Sequence, residues 1–201
     1  FASCIRNLST QKRPKIAFIQ GHGELDKLDI EDIKYALYEF YDIYDISIND
    51  NAHALDSMKA IVIAKPDTAF SENDKYIIDQ YIMNGGKALW VVDALNTSVD
   101  SLRESGFTLS FPYELNLDDL FFNYGVRINQ NLLFDLQCSA IPVNKAFMGQ
   151  EPRFELMPWM FSPLIMPPNK HPVEKNLEVI KLDFASTIDT ISAKGISKTI
   201  L

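Results

Sequence analysis

Between Lys59 and Asp93 the chain reads as a strand (AIVIA), a break at Lys65-Pro66, a capped helix (SENDKYIIDQYIM), an Asn-Gly-Gly stop and a second strand (KALWVVD). This strand–helix–strand unit constrains the fold more than any other stretch. Both strands are almost continuously apolar, the pattern expected of a parallel sheet covered by helices on both faces. Ser71 is placed to cap the helix and Asp74, three residues on, to reach back to it, while Glu72 and Asp74 set negative charge against the positive helix end. Gly85 and Gly86 supply residues able to adopt the left-handed conformation that ends a helix.

A second such unit precedes it. Ile16-Ala17-Phe18-Ile19-Gln20 reads as a buried strand and Gly21–Glu24 as a turn. Asp29 stands as cap to a helix whose Ile30, Ile33, Leu37 and Phe40 share a face. Residues 43–48 alternate only partly, as a strand at a sheet edge does. With right-handed crossovers this string gives an α/β fold, a doubly wound, mostly parallel sheet of order 2-1-3-4 in the flavodoxin-like arrangement. Ligands in such sheets bind beyond the carboxyl ends of the strands, where the order reverses. The loops Gln20–Asp26, Lys65–Phe70 and Asp93–Thr97 are therefore the expected site, with Gln20, His22, Glu24, Lys65, Asp67 and Asp93 as candidate contacts.

The later chain is less regular. Leu117–Tyr124 reads as a short helix capped by Asn116 and stopped at Gly125, and Val126–Ile128 as a strand, with one or two more strands between Leu132 and Val143. Across 148–172, prolines at 152, 158, 163, 167, 168 and 172 forbid long helices, yet Met157, Trp159, Met160 and Phe161 crowd between them. This segment reads as apolar and non-regular: either a lid folded over the core or an adaptable partner-binding surface, in which Met157, Trp159, Met160 and Phe161 are the candidates. Asn176–Phe184 reads as a strand, followed by a polar stretch through Asp189. Residues 1–14 suit a flexible leader, and 15–201, at this length, suit a single α/β domain.

Charge and cysteine usage narrow the function. A net charge of −8, without any run of basic residues, argues against nucleic acid and against docking on an anionic membrane. Cys4 and Cys138 make no disulfide framework and no zinc-ligand spacing. No apolar run approaches the length of a membrane helix, while the Phe1 start and the apolar Ile200-Leu201 end suggest a fragment from which a signal or anchor was removed.

Three patterns bear on catalysis. Gly21-x-Gly23 lacks the third glycine of a phosphate cradle, is followed by acidic residues, and no Walker lysine exists elsewhere, so no nucleotide or other cofactor is implied. His22, Glu24 and Asp93 form a candidate acid–base set for an amidotransferase-like or metal-assisted hydrolase, although a metal site would want a further His or Cys. A nucleophile elbow would sit directly after a central strand, and here that turn is Lys65-Pro66-Asp67, without Cys or Ser. The chain has such an enzyme's scaffold without its nucleophile. No catalytic residue and no metal ligand is assigned.

Together, Lys15–Glu24, Ile63–Pro66, Phe70–Glu72, Asp79–Lys87, Leu89-Trp90 and Asp93 resemble the soluble region of GldG-type proteins, gliding-motility-associated auxiliary subunits of ABC transporters in Bacteroidetes. His171-Pro172, Lys175–Leu177 and Ser186–Asp189 resemble its later part. The resemblance runs from about Lys15 to the end. It implies a non-catalytic extracytoplasmic, periplasmic domain, anchored to the inner membrane through segments outside this fragment and working with a permease and an ATPase. It also implies similarity to a domain of intraflagellar transport proteins, with a fold like class I glutamine amidotransferases that lack their catalytic residues. A glycan-binding role is the remaining alternative it implies.

Overall fold

A computed structural model describes residues 12–97, 107–146, 151–167, 171–175 and 177–200. Most of the expected leader thus lies outside the described residues. The chain divides into two compact units, one made of 1–93 and 113–123, the other of 94–112 and 124–201.

The first unit holds strands β1 (Lys15–Ile19), β2 (Asp42–Ile46), β3 (Ala60–Ala64) and β4 (Lys87–Val91), and helices α1 (Glu31–Tyr38), α2 (Glu72–Met83) and α3 (Asp118–Asn123). The four strands pair in parallel in the order β2-β1-β3-β4, the order expected from the sequence. The central strands supply the core. Ala17, Phe18, Ile19, Ile61 and Ile63 are essentially inaccessible, as are Phe70 and Ile78 against them. Each large apolar side chain so buried contributes about 1.5–3 kcal/mol.

Four local expectations are corrected. Strand β4 is half exposed rather than covered on both faces, with Leu89 53% and Val91 50% accessible, because it ends the sheet and alternates as an edge strand does. Helix α1 begins with Ile30 in the cap position and without a side-chain cap, so Asp29 does not cap it. Its buried member is Lys34, not Ile33: the ammonium pairs with Asp45 and lies 4.9 Å from the Phe18 ring centre, while the aliphatic stem covers apolar surface. Of the two glycines after α2, Gly85 alone takes a positive φ (+89°). Gly86 is needed for space, since a Cβ there would come within 2.3 Å of the Tyr81 ring.

Asn116, expected as the cap of α3, has φ +57° and serves α2 instead. Its amide donates to the Phe70 carbonyl and to Glu72, beside Lys75, whose buried ammonium bridges Glu72 and Asp119.

In the second unit, short strands β5 (Leu95–Asn96) and β6 (Phe111–Pro112) pair with each other, and β7 (Val126–Ile128) pairs with β11 (Ile188–Thr190). Strands β8 (Cys138–Asn144), β9 (Phe154–Ile165) and β10 (Ile180–Lys181) form an antiparallel sheet of order β10-β9-β8. The Pro/Met/Trp segment is therefore not irregular: 12 of its residues are strand β9. The prolines are tolerated because they bracket a bulge. From Pro158 to Pro163 the strand advances five residues (163 − 158) while β8 advances two (140 − 138), so the ladder is broken where their missing N–H groups would count. Carbonyls inside the bulge are met from outside β8, Met160 by the Asp135 amide and Phe161 by the Phe184 amide. Phe161 packs against Phe134, Trp159 and Phe184 at ring-centre distances of 5.6, 5.5 and 6.4 Å.

The strand expected over Asn176–Phe184 is reduced to Ile180–Lys181, and Asn176 lies outside the described residues. The polar stretch after it instead yields β11. Side-chain bonds hold it, Arg127 and Asn129 to Asp189 and Asn131 to Thr187, which an apolar pattern cannot signal.

Candidate functional site

The carboxyl ends of β1, β3 and β4 gather every residue expected at the ligand site, but they divide into a buried set and an exposed set. His22 and Glu24 are buried. The His22 imidazole is 6% exposed and stacks on Phe70 at 3.7 Å between ring centres. Its Nδ1 is 3.1 Å from Glu24, and its Nε2 is 3.2 Å from Asp74. Glu24, with a side chain 1% exposed, also accepts the His22 backbone N–H at 2.8 Å.

These contacts set the charge. Burial is the largest influence on His22 and depresses its pKa, but hydrogen bonds and charge from Glu24 and Asp74 outweigh it, leaving the imidazole above its ordinary value. Burial likewise raises Glu24, and the bonds from His22 reverse the balance and leave it below the usual carboxylate range. The result is an imidazole whose protonated form is favoured by two carboxylates. Both ring nitrogens are occupied by acceptors, so neither is free to take a proton from a substrate. Among the described residues no group of His, Cys, Asp and Glu is arranged to hold a metal ion.

Asp74 is the member that sequence reasoning missed. In a capping box its carboxylate would turn back to the Ser71 backbone. In the structure its backbone N–H donates to Ser71 Oγ at 3.1 Å, and its carboxylate crosses to His22. The signal was half legible, because Ser71-x-x-Asp74 marks the helix start but not the imidazole opposite it.

The exposed set is Lys65, Asp67 and Asp93. Lys65 and Asp93 form an ion pair at 3.2 Å, with side chains 40% and 43% accessible. Asp93 thus joins Lys65, and the second carboxylate on His22 is Asp74. Lys65 has φ +52°, an unusual conformation for a residue with a Cβ, and its amide donates to the Val91 carbonyl at 2.7 Å. The turn after it is tied to the buried set: the amides of Asp67 and Thr68 both donate to the His22 carbonyl. Asp67 lies over Gly23, where a Cβ would fall 1.5 Å from its carboxylate oxygen, so Gly23 is required by close approach as well as by φ +70°. Tyr113 adjoins this set. Burial pushes its phenol up, Lys65 opposes the shift, and Asp67 and Asp93 add to it. Gln20 is half-buried, and its backbone N–H donates to the Ile46 carbonyl at 2.9 Å.

The candidate partner residues all lie on β9. Met157 is 39% exposed, while Trp159, Met160 and Phe161 are half-buried around the Phe161 ring cluster. The most exposed apolar side chains of that strand are others, Phe154 at 65% and Leu156 at 75%.

Comparison with known proteins bears on this geometry. Residues 13–201 match the family model ABC_transp_aux, described as an ABC-type uncharacterized transport system. No curated protein matches the chain. Among solved structures it is similar to the mmIFT52 N-terminal domain, with 14% identity and a TM-score of 0.59 over 88% of this chain and 68% of that one, a likeness of fold alone. Because the family model spans nearly the whole sequence, this chain belongs to the ABC_transp_aux family of ABC-type transport systems, in an accessory role.

Proposed function

We propose that this chain is a non-catalytic extracytoplasmic domain of a GldG-type auxiliary subunit, working beside a permease and an ATPase in the periplasm and held at the inner membrane by segments outside this sequence. The observation that carries the non-catalytic reading is the state of His22 and Glu24. The two residues best suited to acid–base chemistry are buried and bonded to each other and to Asp74, where they pin the turn after β1 to the start of α2. We read the sheet as the doubly wound, flavodoxin-like scaffold shared with class I glutamine amidotransferases, a reading supported by the order β2-β1-β3-β4. On that scaffold the exposed Lys65, Asp67 and Asp93, with Gln20 beside them, are the surface offered to a small ligand or partner.

Two measurements test this. Affinity purification of the tagged full-length protein from detergent-solubilised native membranes should recover a permease and an ATPase, and recovery of neither would overturn the accessory reading. The purified chain should show no hydrolysis of amide, ester or phosphate model substrates. Activity that disappears in His22→Ala or Glu24→Ala would establish the hydrolase alternative instead.

A further inference from the structure

Strand β4 leaves one edge of the parallel sheet open, because it pairs with β3 alone. The Lys65 amide donates to the Val91 carbonyl, so Lys87, Leu89 and Val91 turn their backbone groups toward β3. Alternation then turns those of Ala88, Trp90 and Val92 outward. Among the described residues these outward N–H and C=O groups meet no other protein group. An open edge recruits another strand unless charge, proline or a bulge guards it. The opposite edge is guarded, since β2 carries Asp42 and Asp45. Strand β4 has a regular register, no proline and one charge, Lys87 at its start, and its Leu89 and Val91 are half exposed.

The stretch Lys87-Ala88-Leu89-Trp90-Val91-Val92-Asp93 complements itself when run antiparallel. About a two-fold axis at Trp90, each Trp90 opposes its own copy and Ala88 opposes the partner's Val92. These are the residues whose backbone groups point outward, so each such pair exchanges both ladder bonds. In the intervening pairs Leu89 opposes the partner's Val91 and Lys87 opposes the partner's Asp93, with Cα atoms roughly 4.5 Å apart and side chains on one face. Moving the axis to Ala88, Leu89 or Val91 loses the charge match. Both charges have reason to pair. Lys87 is exposed and, among the described residues, forms no ion pair. Asp93 holds Lys65 at 3.2 Å, but Asp67 shares that corner, since both carboxylates act on the Tyr113 phenol against Lys65. Two carboxylates there face one ammonium.

We propose that two copies of this chain join β4 to β4 about a two-fold axis at Trp90, forming one continuous sheet of eight strands in which Lys87 of each copy meets Asp93 of the other. The contact is isologous, and its main-chain bonding is that of strand addition at a sheet edge. It brings the partner's Lys87 to the exposed surface of Lys65, Asp67 and Asp93. A single strand from each copy falls short of the roughly 20–30 residues a side of a standard interface, so the association is weak. It goes beyond the accessory reading and does not rest on it, because self-association is read whether or not a permease is recovered.

Sedimentation velocity of the intact chain tests it. From about 10 μM to about 1 mM the wild type should pass from monomer to dimer and no further, since pairing uses up the open edge. Lys87→Glu and Asp93→Lys should each weaken self-association about tenfold or more by setting like charges opposite each other. An equimolar mixture of the two variants should restore it, because the mixed dimer pairs opposite charges at both ends. Ala88→Pro removes an outward N–H that the molecule's own sheet does not use, and should abolish dimerisation with native circular dichroism retained. A wild type that stays monomeric at about 1 mM would overturn the proposal. So would a mixture that associates no better than its separate components, or an Ala88→Pro chain that dimerises as the wild type does.

Discussion

At the scale of single residues, His22 decides what the switch-point region is. An imidazole between Glu24 and Asp74, stacked on Phe70, is a fastening, and removing it leaves two carboxylates without their partner. His22→Ala should therefore destabilise the chain by about 3 kcal/mol in denaturant titration, the cost of breaking a buried pair from one side. The fastening also has a pH window. His22 is raised above its ordinary 6.5, so its contribution is complete below that value and is lost as pH rises through the folded-state pKa. Glu24 is lowered from 4.5, so its contribution is complete above that value and is lost as pH falls through its folded-state pKa. The stability difference between wild type and His22→Gln should accordingly be greatest between these limits and shrink on both sides. A difference that stays flat from acid to alkaline pH would refute the charged clamp.

Elements depend on single residues for different physical reasons, and two adjacent glycines separate those reasons. Gly85 ends α2 with φ +89° and open space where a Cβ would stand. Gly85→Ala should thus cost only the left-handed conformation, about 1–2 kcal/mol. Gly86 has ordinary backbone but faces the Tyr81 ring, so Gly86→Ala should cost about 1–3 kcal/mol by overpacking. Tyr81→Ala in the same chain should relieve that cost, whereas it should leave Gly85→Ala unimproved; the double-mutant cycles check both. At the other end of α2, Ser71→Ala should cost about 1 kcal/mol by removing the acceptor for the Asp74 amide. The start and stop of α2 were legible because capping is local chemistry. Strand β9 was not, since its prolines argue against a strand until the break in the β8 ladder is known.

For the whole molecule, the net charge of −8 disfavours a polyanionic nucleic acid as partner, and the family match points to association with components of an ABC transport system. Added duplex DNA should produce no mobility shift at physiological salt. The parallel order β2-β1-β3-β4 was readable from two strand–helix–strand units, because apolar runs of strand length joined by capped helices leave few topologies open. The site was readable only in part. His22, Glu24, Lys65, Asp67 and Asp93 do gather at the strand ends, but sequence could not tell the buried pair from the exposed one, nor find Asp74 52 residues from its imidazole. In the second unit β7 stands where the sequence placed it, but β11 escaped for a related reason: it is held by Arg127–Asp189 and Asn131–Thr187, contacts between residues about sixty positions apart.

The opening strand–helix–strand unit, its cap at Ser71, its break at Lys65-Pro66-Asp67 and the absence of a nucleophile there were determined by sequence alone, because propensity, capping and turn chemistry act between neighbours. Tertiary structure decided what those parts do. It turned Asp74 from a cap into a ligand of His22, moved Asp93 onto Lys65, and made a strand of a proline-rich segment. Burial and charge pairing depend on which distant residues meet, and only the folded chain fixes that.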